Sequence, residues 1–124
     1  MKHSEGFLRL VDDAKTRIRE CTVEDVKKDR DTDADHVLVD VREDREFDAA
    51  HAAGAVHLGK GIIERDIEEK IPDRERKIVL YCGGGYRSAL SADALQKMGY
   101  NKVYSLAGGW RAWKAAGMPI EDGD

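Results

Sequence analysis

The sequence predicts an α/β fold, a small parallel β-sheet of four or five strands flanked by helices on both faces. Short apolar runs without polar alternation recur along the chain, which is typical of parallel strands covered on both sides. Segments with helical periodicity lie between these runs, and glycine pairs or triplets follow two of them. The 124 residues are enough for one domain with its own core.

The N-terminal part of the chain is predicted to be helical. Residues 4–20 form a charged amphipathic pattern, whose apolar stripe is Phe7, Leu8, Leu10, Val11, Ala14 and Ile18. We expect residues 1–21 to be a helical extension packed on the domain, and a partner or dimer surface is the alternative. Thr22 and Asp25 have the spacing of a capping box, which predicts a short helix over 23–28.

The other elements follow in alternation through a main domain at 22–120, and 121–124 is expected to be a tail. Strands are predicted at 37–41, 54–58, 78–81 and 102–106, and helices at 43–50, 62–71, 88–98 and 110–116. Phe47 is the expected core anchor of its helix. Trp110 and Trp113 lie three apart on a helical face, so both are expected to cover the sheet.

Composition excludes several classes of function. The formal charge of −4 argues against general affinity for nucleic acid or anionic membranes, and no apolar run approaches the length of a membrane span. The first residues are too acidic for a signal peptide, so the cytoplasm is the expected location. Cys21 and Cys82 match no zinc or CxxC pattern; Cys21 is expected to be a packed residue, with a resolving thiol as the alternative.

The loop after the 78–81 strand carries the chemistry, in the order Cys82, Gly83, Gly84, Gly85, Tyr86, Arg87, Ser88. Ligands of open α/β sheets bind where a strand ends and a helix begins. Glycines let successive N–H groups point inward as an anion nest, which stabilises a thiolate at its rim. Arg87 adds a cation able to bind an oxyanion. These features predict a nucleophilic thiolate facing an anionic substrate, whereas a lone cysteine or glycine run is more often a core residue or a turn.

Three motifs in order resemble those of single-domain rhodaneses, which are thiol sulfurtransferases. The active-site loop of that family is similar to Cys82-x-x-Gly85-x-Arg87-Ser88. Its N-terminal and C-terminal motifs are similar to Phe47-x-x-x-His51-x-x-Gly54-Ala55-x-x-Leu58 and Leu106-x-Gly108-Gly109-Trp110-x-x-Trp113. The resemblance covers about residues 36–120.

The resemblance implies a reaction in two half-steps. The Cys82 thiolate would take sulfane sulfur from a small anionic donor such as thiosulfate and pass it from a persulfide to a thiol, to cyanide or to a partner protein. The loop amides from Gly83 to Ser88 would hold the persulfide, and Ser88 would cap the helix or donate to sulfur. No metal and no organic cofactor is required.

Accessory residues are expected at the same edge of the sheet. Asp40 and Arg42 end the 37–41 strand, where they brace neighbouring loops or, alternatively, Asp40 assists proton handling near the thiol. Lys60 is a candidate second cation for drawing in anions. Arg65 either faces the pocket or forms a surface ion pair with its acidic neighbours.

Two rival functions remain open. Cysteine-dependent phosphatases and arsenate reductases also close a thiolate loop with arginine, but the phosphatases that resemble rhodaneses have five residues between the two, and this chain has four. The other rival is a persulfide carrier or binding module for a dedicated partner protein. Gly83 and Gly84 replace charged or polar residues of many relatives, so the loop offers little cationic help beyond Arg87, and Tyr86 at the rim is expected to select a bulkier donor.

Overall fold

A computed structural model describes residues 2–123. Its main sheet has five parallel strands in the order β1-β6-β5-β2-β4, which places β5 at the centre. These strands are β1 (Arg19–Cys21), β2 (Val37–Asp40), β4 (Val56–His57), β5 (Ile78–Tyr81) and β6 (Val103–Leu106). A separate antiparallel ribbon pairs β3 (His51–Ala52) with β7 (Ile120–Glu121).

In the described part of the chain six helices surround the sheet: α1 (Glu5–Lys15), α2 (Val23–Asp31), α3 (Asp44–Ala49), α4 (Ile63–Lys70), α5 (Tyr86–Lys97) and α6 (Gly109–Ala115). One core cluster joins β5 to Ile67 of α4 and Leu95 of α5, and a second joins it to Val26 of α2 and Trp113 of α6. The predicted α/β fold, with helices on both faces of a parallel sheet, is therefore confirmed. Among residues 2–123, none of the helices has the length and apolar character that a membrane crossing needs.

The central strand places the thiol of Cys82 on one face of the sheet. All four residues of β5 are buried, and they alternate between the two core clusters. Cys82 belongs to the cluster that contains α4 and α5, whereas Tyr81 belongs to the cluster that contains α6. Since β2, β5 and β6 are parallel and in register, the residues that follow each of them meet at one edge.

The N-terminal helix is shorter than predicted. It ends at Lys15, and Arg19–Cys21 forms the edge strand β1 beside β6, so residues 19–21 are part of the main sheet and not of a helical extension. Val11 and Ala14 are buried, but Leu10 of the predicted stripe is 60% exposed. A strand of three residues with two exposed positions has no visible alternation, which is why the sequence did not indicate it.

Two other segments differ from expectation. Glu121 pairs with His51 in the ribbon, so it is not part of a free tail, and Asp124 lies outside the described residues. Helix α5 is buried on two sides because α1 packs over it, and Arg17, two residues after the end of α1, forms an ion pair with Asp93 of α5. Phe47 is only partly buried and stacks on two histidine rings instead of anchoring the core.

Candidate active site

The sulfur of Cys82 has polar partners on its own loop and helix. The Gly85 backbone N–H donates to Sγ at 3.1 Å, and the Ser88 hydroxyl lies 3.6 Å from Sγ. Ser88 Oγ in turn lies 2.8 Å from Oγ of Ser105 on β6, and both serines are fully buried. Sγ therefore sits among donors that stabilise negative charge on sulfur.

The start of α6 fixes the backbone of the loop. Trp110 N–H donates to the Cys82 carbonyl at 2.7 Å, and Arg111 N–H donates to the Gly83 carbonyl at 3.2 Å. In a planar trans peptide the carbonyl and the following N–H point in opposite directions, so the amides of Gly83 and Gly84 point away from α6. Neither of these two amides donates to a backbone carbonyl of residues 2–123.

Two glycines make this arrangement possible. Gly85 has φ of +99° at the N-cap of α5, in the left-handed region that favours glycine. Gly109 has φ of +50°, and a Cβ there would overlap the carbonyl oxygen of Cys82. The close approach of α6 to the loop therefore depends on glycine at 109.

Cys82 is only 1% exposed, but it lines a cavity of about 680 Å³. The loop and α5 contribute Gly83, Gly84, Tyr86 and Arg87 to the walls. Other walls come from α3, from the start of α6 and from the N-terminal segment at residues 2–7. The thiol is thus buried in the wall of a cavity, where a ligand can meet it.

Arg87 is paired with a carboxylate that sequence reasoning missed. Its Nη1 and Nη2 donate to Oε1 and Oε2 of Glu46 at 2.8 and 3.2 Å. The hydrogen bonds from Arg87 lower the pKa of Glu46 to about 2. The hydrogen bond to Glu46 raises the pKa of Arg87, and attraction to Cys82 makes a smaller contribution in the same direction. The sequence did offer one indication of this pair, because Glu46 lies on the helix that follows β2, at the same edge of the sheet as Cys82.

Asp40 and Arg42 form a buried brace. Arg42 donates to both oxygens of Asp40 at 2.8 to 3.1 Å and to the Ala50 carbonyl at 2.7 Å. The Tyr81 hydroxyl donates to Asp40 Oδ2 at 2.6 Å, and burial followed by this contact raises the pKa of Tyr81. The carboxylate is engaged on the Tyr81 side, opposite the face that contains Cys82, so the geometry favours bracing over proton handling at the thiol.

The other two accessory candidates lie apart from the thiol. Lys60 is exposed and lines a neighbouring cavity of about 720 Å³, which shares Arg87 with the cavity over Cys82. Arg65 is exposed and pairs with Asp66, at 2.7 Å between Nε and Oδ1, and it lines neither of these two cavities. Of the alternatives for Arg65, the structure shows the surface ion pair.

Tyr86 contacts the N-terminal segment, which lies outside the recognised motifs. Its ring centroid is 4.6 Å from that of His3 in an edge-on arrangement and 6.3 Å from that of Phe7. The ammonium group of Lys15 lies 5.6 Å from the same ring. Sequence reasoning gave this segment no part in the site, because its pairing with Tyr86 is a long-range contact.

Cys21 is not a partner for Cys82. It packs in the core cluster on the other face of the sheet, and burial raises its pKa to about 12. A thiol with that pKa stays protonated at neutral pH, which contradicts a resolving role. Within residues 2–123, no three or more His, Cys, Asp or Glu side chains are grouped so as to hold a metal ion.

Fold and site together define an α/β protein whose cysteine sits in a glycine-rich loop between the central strand and a buried helix. The family of the Rhodanese-like domain matches residues 22–116. The chain therefore belongs to the rhodanese-like family, as the three motifs indicated.

Individual relatives agree with this placement. The chain is 36% identical over 63 residues to the thiosulfate sulfurtransferase GlpE of Coxiella burnetii, a match that covers 51% of this chain and 57% of that protein. The chain thus spans less than two thirds of that relative's length. A thiosulfate sulfurtransferase structure from Pseudomonas aeruginosa is 29% identical with a TM-score of 0.79, over 86% of this chain and 20% of that one.

One solved structure resembles nearly the whole chain, including the N-terminal helix. It is a protein of unknown function from Rhodopseudomonas palustris CGA009, described as a possible tyrosine phosphatase. The two are 31% identical, with a TM-score of 0.79 over 98% of both chains. Helix α1, which lies outside the residues matched by the family, is thus within the part of the chain that resembles this structure.

Proposed function

We propose that this protein is a thiol sulfurtransferase that carries sulfane sulfur on Cys82. The observation that carries the proposal is the Gly85 N–H donating to Cys82 Sγ in the wall of a cavity. An amide held against sulfur by the fold stabilises negative charge there without reorganisation during the reaction. The similarity to thiosulfate sulfurtransferases supports the same reaction class.

In the first half-reaction the Cys82 thiolate attacks the outer sulfur of a donor such as thiosulfate. A bond forms between Sγ and that sulfur, the S–S bond of thiosulfate breaks, and its electron pair leaves with sulfite. The persulfide keeps the negative charge. We expect it to accept hydrogen bonds from the amides of Gly83 and Gly84, which donate to no backbone carbonyl of residues 2–123, and from the hydroxyl of Ser88. No proton transfer is needed when the thiolate is the starting form.

In the second half-reaction an acceptor thiolate or cyanide attacks the terminal sulfur. The persulfide S–S bond breaks, and the electron pair returns to Sγ of Cys82 as the thiolate. Arg87, fixed by its ion pair with Glu46, steadies the loop while charge moves along the sulfur chain. The enzyme regains its initial state without an external oxidant or reductant.

The test is thiocyanate formation from thiosulfate and cyanide by the purified protein. We expect turnover in the native protein, loss of turnover in Cys82→Ser, and retention in Cys21→Ser, which removes the other thiol from the opposite face of the sheet. Turnover that survives in Cys82→Ser would overturn the proposal.

A phosphatase is the second candidate, favoured by the likeness over 98% of both chains to a possible tyrosine phosphatase. Against it stands the loop of four residues between Cys82 and Arg87, since a loop shorter than the five residues of the related phosphatases is expected to enclose a narrower nest. Incubation with an aryl phosphate is therefore a necessary parallel assay, and we expect no Cys82-dependent turnover. A persulfide carrier would instead load sulfur from thiosulfate but release it only to a partner protein.

A further inference from the structure

Aromatic side chains form one wall of the cavity over Cys82. His3, Phe7 and Tyr86 all line it, and their rings contact one another at centroid distances of 4.6 to 6.3 Å. Two of the three come from the N-terminal segment, and the third follows the Cys82 loop directly. The segment that precedes the family domain thus completes the entrance to the thiol.

Helix α6 supplies two further cationic side chains to the cavity over Cys82. Arg111 and Lys114 line the same cavity, and neither forms an ion pair with a carboxylate of residues 2–123. Nη1 of Arg111 lies close to Gly84, since a Cβ at that position would be 3.6 Å from it, an ordinary contact distance. Arg87, by contrast, is occupied by Glu46. Arg111 therefore places a cation beside position 84 of the loop.

The cavity is larger than the smallest donors require. Pockets of about 300–1,000 Å³ are the usual size for organic ligands, and this one has about 680 Å³. Thiosulfate has five heavy atoms and no apolar surface to place against aromatic rings. The aromatic wall would have no partner in a complex with thiosulfate alone.

We propose that this cavity selects an organic sulfane-sulfur donor with an aromatic body and an anionic sulfonyl-type head. The inference rests on the proposed function, since it specifies the donor for Cys82. The ring packs against His3, Phe7 and Tyr86, while the head lies near Arg111 and Lys114 with its outer sulfur towards Sγ. Sγ bonds to that sulfur, the donor's S–S bond breaks, and the electron pair leaves on an aryl sulfinate.

The test compares three donors by kcat/KM with cyanide as acceptor: benzenethiosulfonate, methanethiosulfonate and thiosulfate. The first two share the same head, so their ratio isolates the ring. We expect Phe7→Ala to lower the ratio of benzenethiosulfonate to methanethiosulfonate by about five- to tenfold, since one aromatic contact is lost. Leu10→Ala is the matched control, because Leu10 is an exposed residue of the same helix, and it should leave the ratio unchanged.

Further variants separate the possible outcomes. Tyr86→Leu keeps bulk but removes the aromatic ring, so it should lower the same ratio and replaces Phe7→Ala if that variant does not fold. Arg111→Gln should raise KM for both organic donors and leave their ratio within about twofold. An unchanged ratio in folded Phe7→Ala and Tyr86→Leu, with thiosulfate still turned over, overturns the donor inference alone. Absence of turnover with all three donors, together with no gain of sulfur on Cys82, overturns sulfur transfer itself.

Discussion

Arg87 and Glu46 form a two-armed ion pair that ties the start of α5 to α3. The two contacts measure 2.8 and 3.2 Å, and both side chains are about one-third exposed. The planar guanidinium offers a second edge, and attraction to Cys82 adds to the raised pKa of Arg87. The arginine that closes the loop is thus a brace in the free protein, and its position is set by a carboxylate 41 residues earlier.

Glu46→Gln is expected to lower stability in a pH-dependent way. The pKa of Glu46 is about 2 in the folded protein against an ordinary 4.5. The ionised carboxylate therefore contributes fully to the free energy of unfolding above about pH 4.5, and this contribution is lost as pH falls towards 2. We expect a loss of about 0.5–1 kcal/mol at pH 7, because the pair is partly solvated. Urea unfolding at pH 7 and at pH 3 measures the difference.

Asp48→Asn on the same helix is the matched control, because Asp48 is exposed and forms no ion pair with residues 2–123. It should leave the free energy of unfolding nearly unchanged at both pH values. A Glu46→Gln variant as stable as the native protein at pH 7 would contradict the role given to the pair.

Substitutions of Ser88 and Ser105 should differ in their effect on the rate of persulfide formation. Ser88→Ala removes the hydroxyl 3.6 Å from Cys82 Sγ and is expected to slow persulfide formation by about tenfold, the value of one hydrogen bond to a charged group. Ser105→Ala removes only the partner of that hydroxyl and should change the rate much less. Both should lower stability by about 1–2 kcal/mol, since each leaves a buried hydroxyl with one partner fewer. Equal slowing by the two variants, in single-turnover kinetics, would argue against a role for Ser88 at sulfur.

Gly109→Ala should lower activity and stability by more than the strain of a positive φ alone would cause. Gly109 and Gly117 both have positive φ, +50° and +69°, so alanine at either costs about 1 kcal/mol. A Cβ at position 109 also overlaps the Cys82 carbonyl, whereas position 117 is open. We expect Gly117→Ala to keep sulfur transfer, and Gly109→Ala to lose it together with at least about 2 kcal/mol of additional stability. Thermal unfolding and thiocyanate formation, measured on both variants, test this; similar behaviour of the two would refute the contact.

Asp40→Asn tests the brace against proton handling. It leaves Arg42 buried, only 4% exposed, without its charged partner, which is expected to cost about 3–5 kcal/mol. Tyr81→Phe removes one donor to Asp40 and the acceptor of the Ala52 N–H, but it leaves the charge pair intact and should cost about 1–3 kcal/mol. Under conditions where Asp40→Asn is folded, the pH profile of sulfur transfer should match that of the native protein. A profile shifted in Asp40→Asn but not in Tyr81→Phe would restore the proton-handling interpretation.

The elements around the thiol could be predicted from the sequence because the patterns that indicate them are local. The β5 run, the glycines after it and the isoleucines at 63 and 67 follow from periodicity and turn chemistry, and the structure shows each in place. The capping box of Thr22 and Asp25 is also present. These features depend on residues within one or two turns of one another.

What sequence reasoning missed depends on distant residues. Glu46 reaches Arg87 across 41 positions, and Arg111 reaches Gly84 only because the α6 backbone packs on the Cys82 carbonyl. Helix α5 is buried on its outer side because α1 covers it, and the sequence did not indicate which element α1 packs against. Tertiary packing of this kind overrides the local pattern and leaves no periodic trace in the chain.

The most direct measurement is the intact mass of the protein after incubation with thiosulfate and removal of excess donor. Sulfur transfer through Cys82 predicts a gain of one sulfur atom, reversed by cyanide, present in Cys21→Ser and absent in Cys82→Ser. A native protein whose mass stays unchanged with thiosulfate and with benzenethiosulfonate, or a gain that persists in Cys82→Ser, would contradict it.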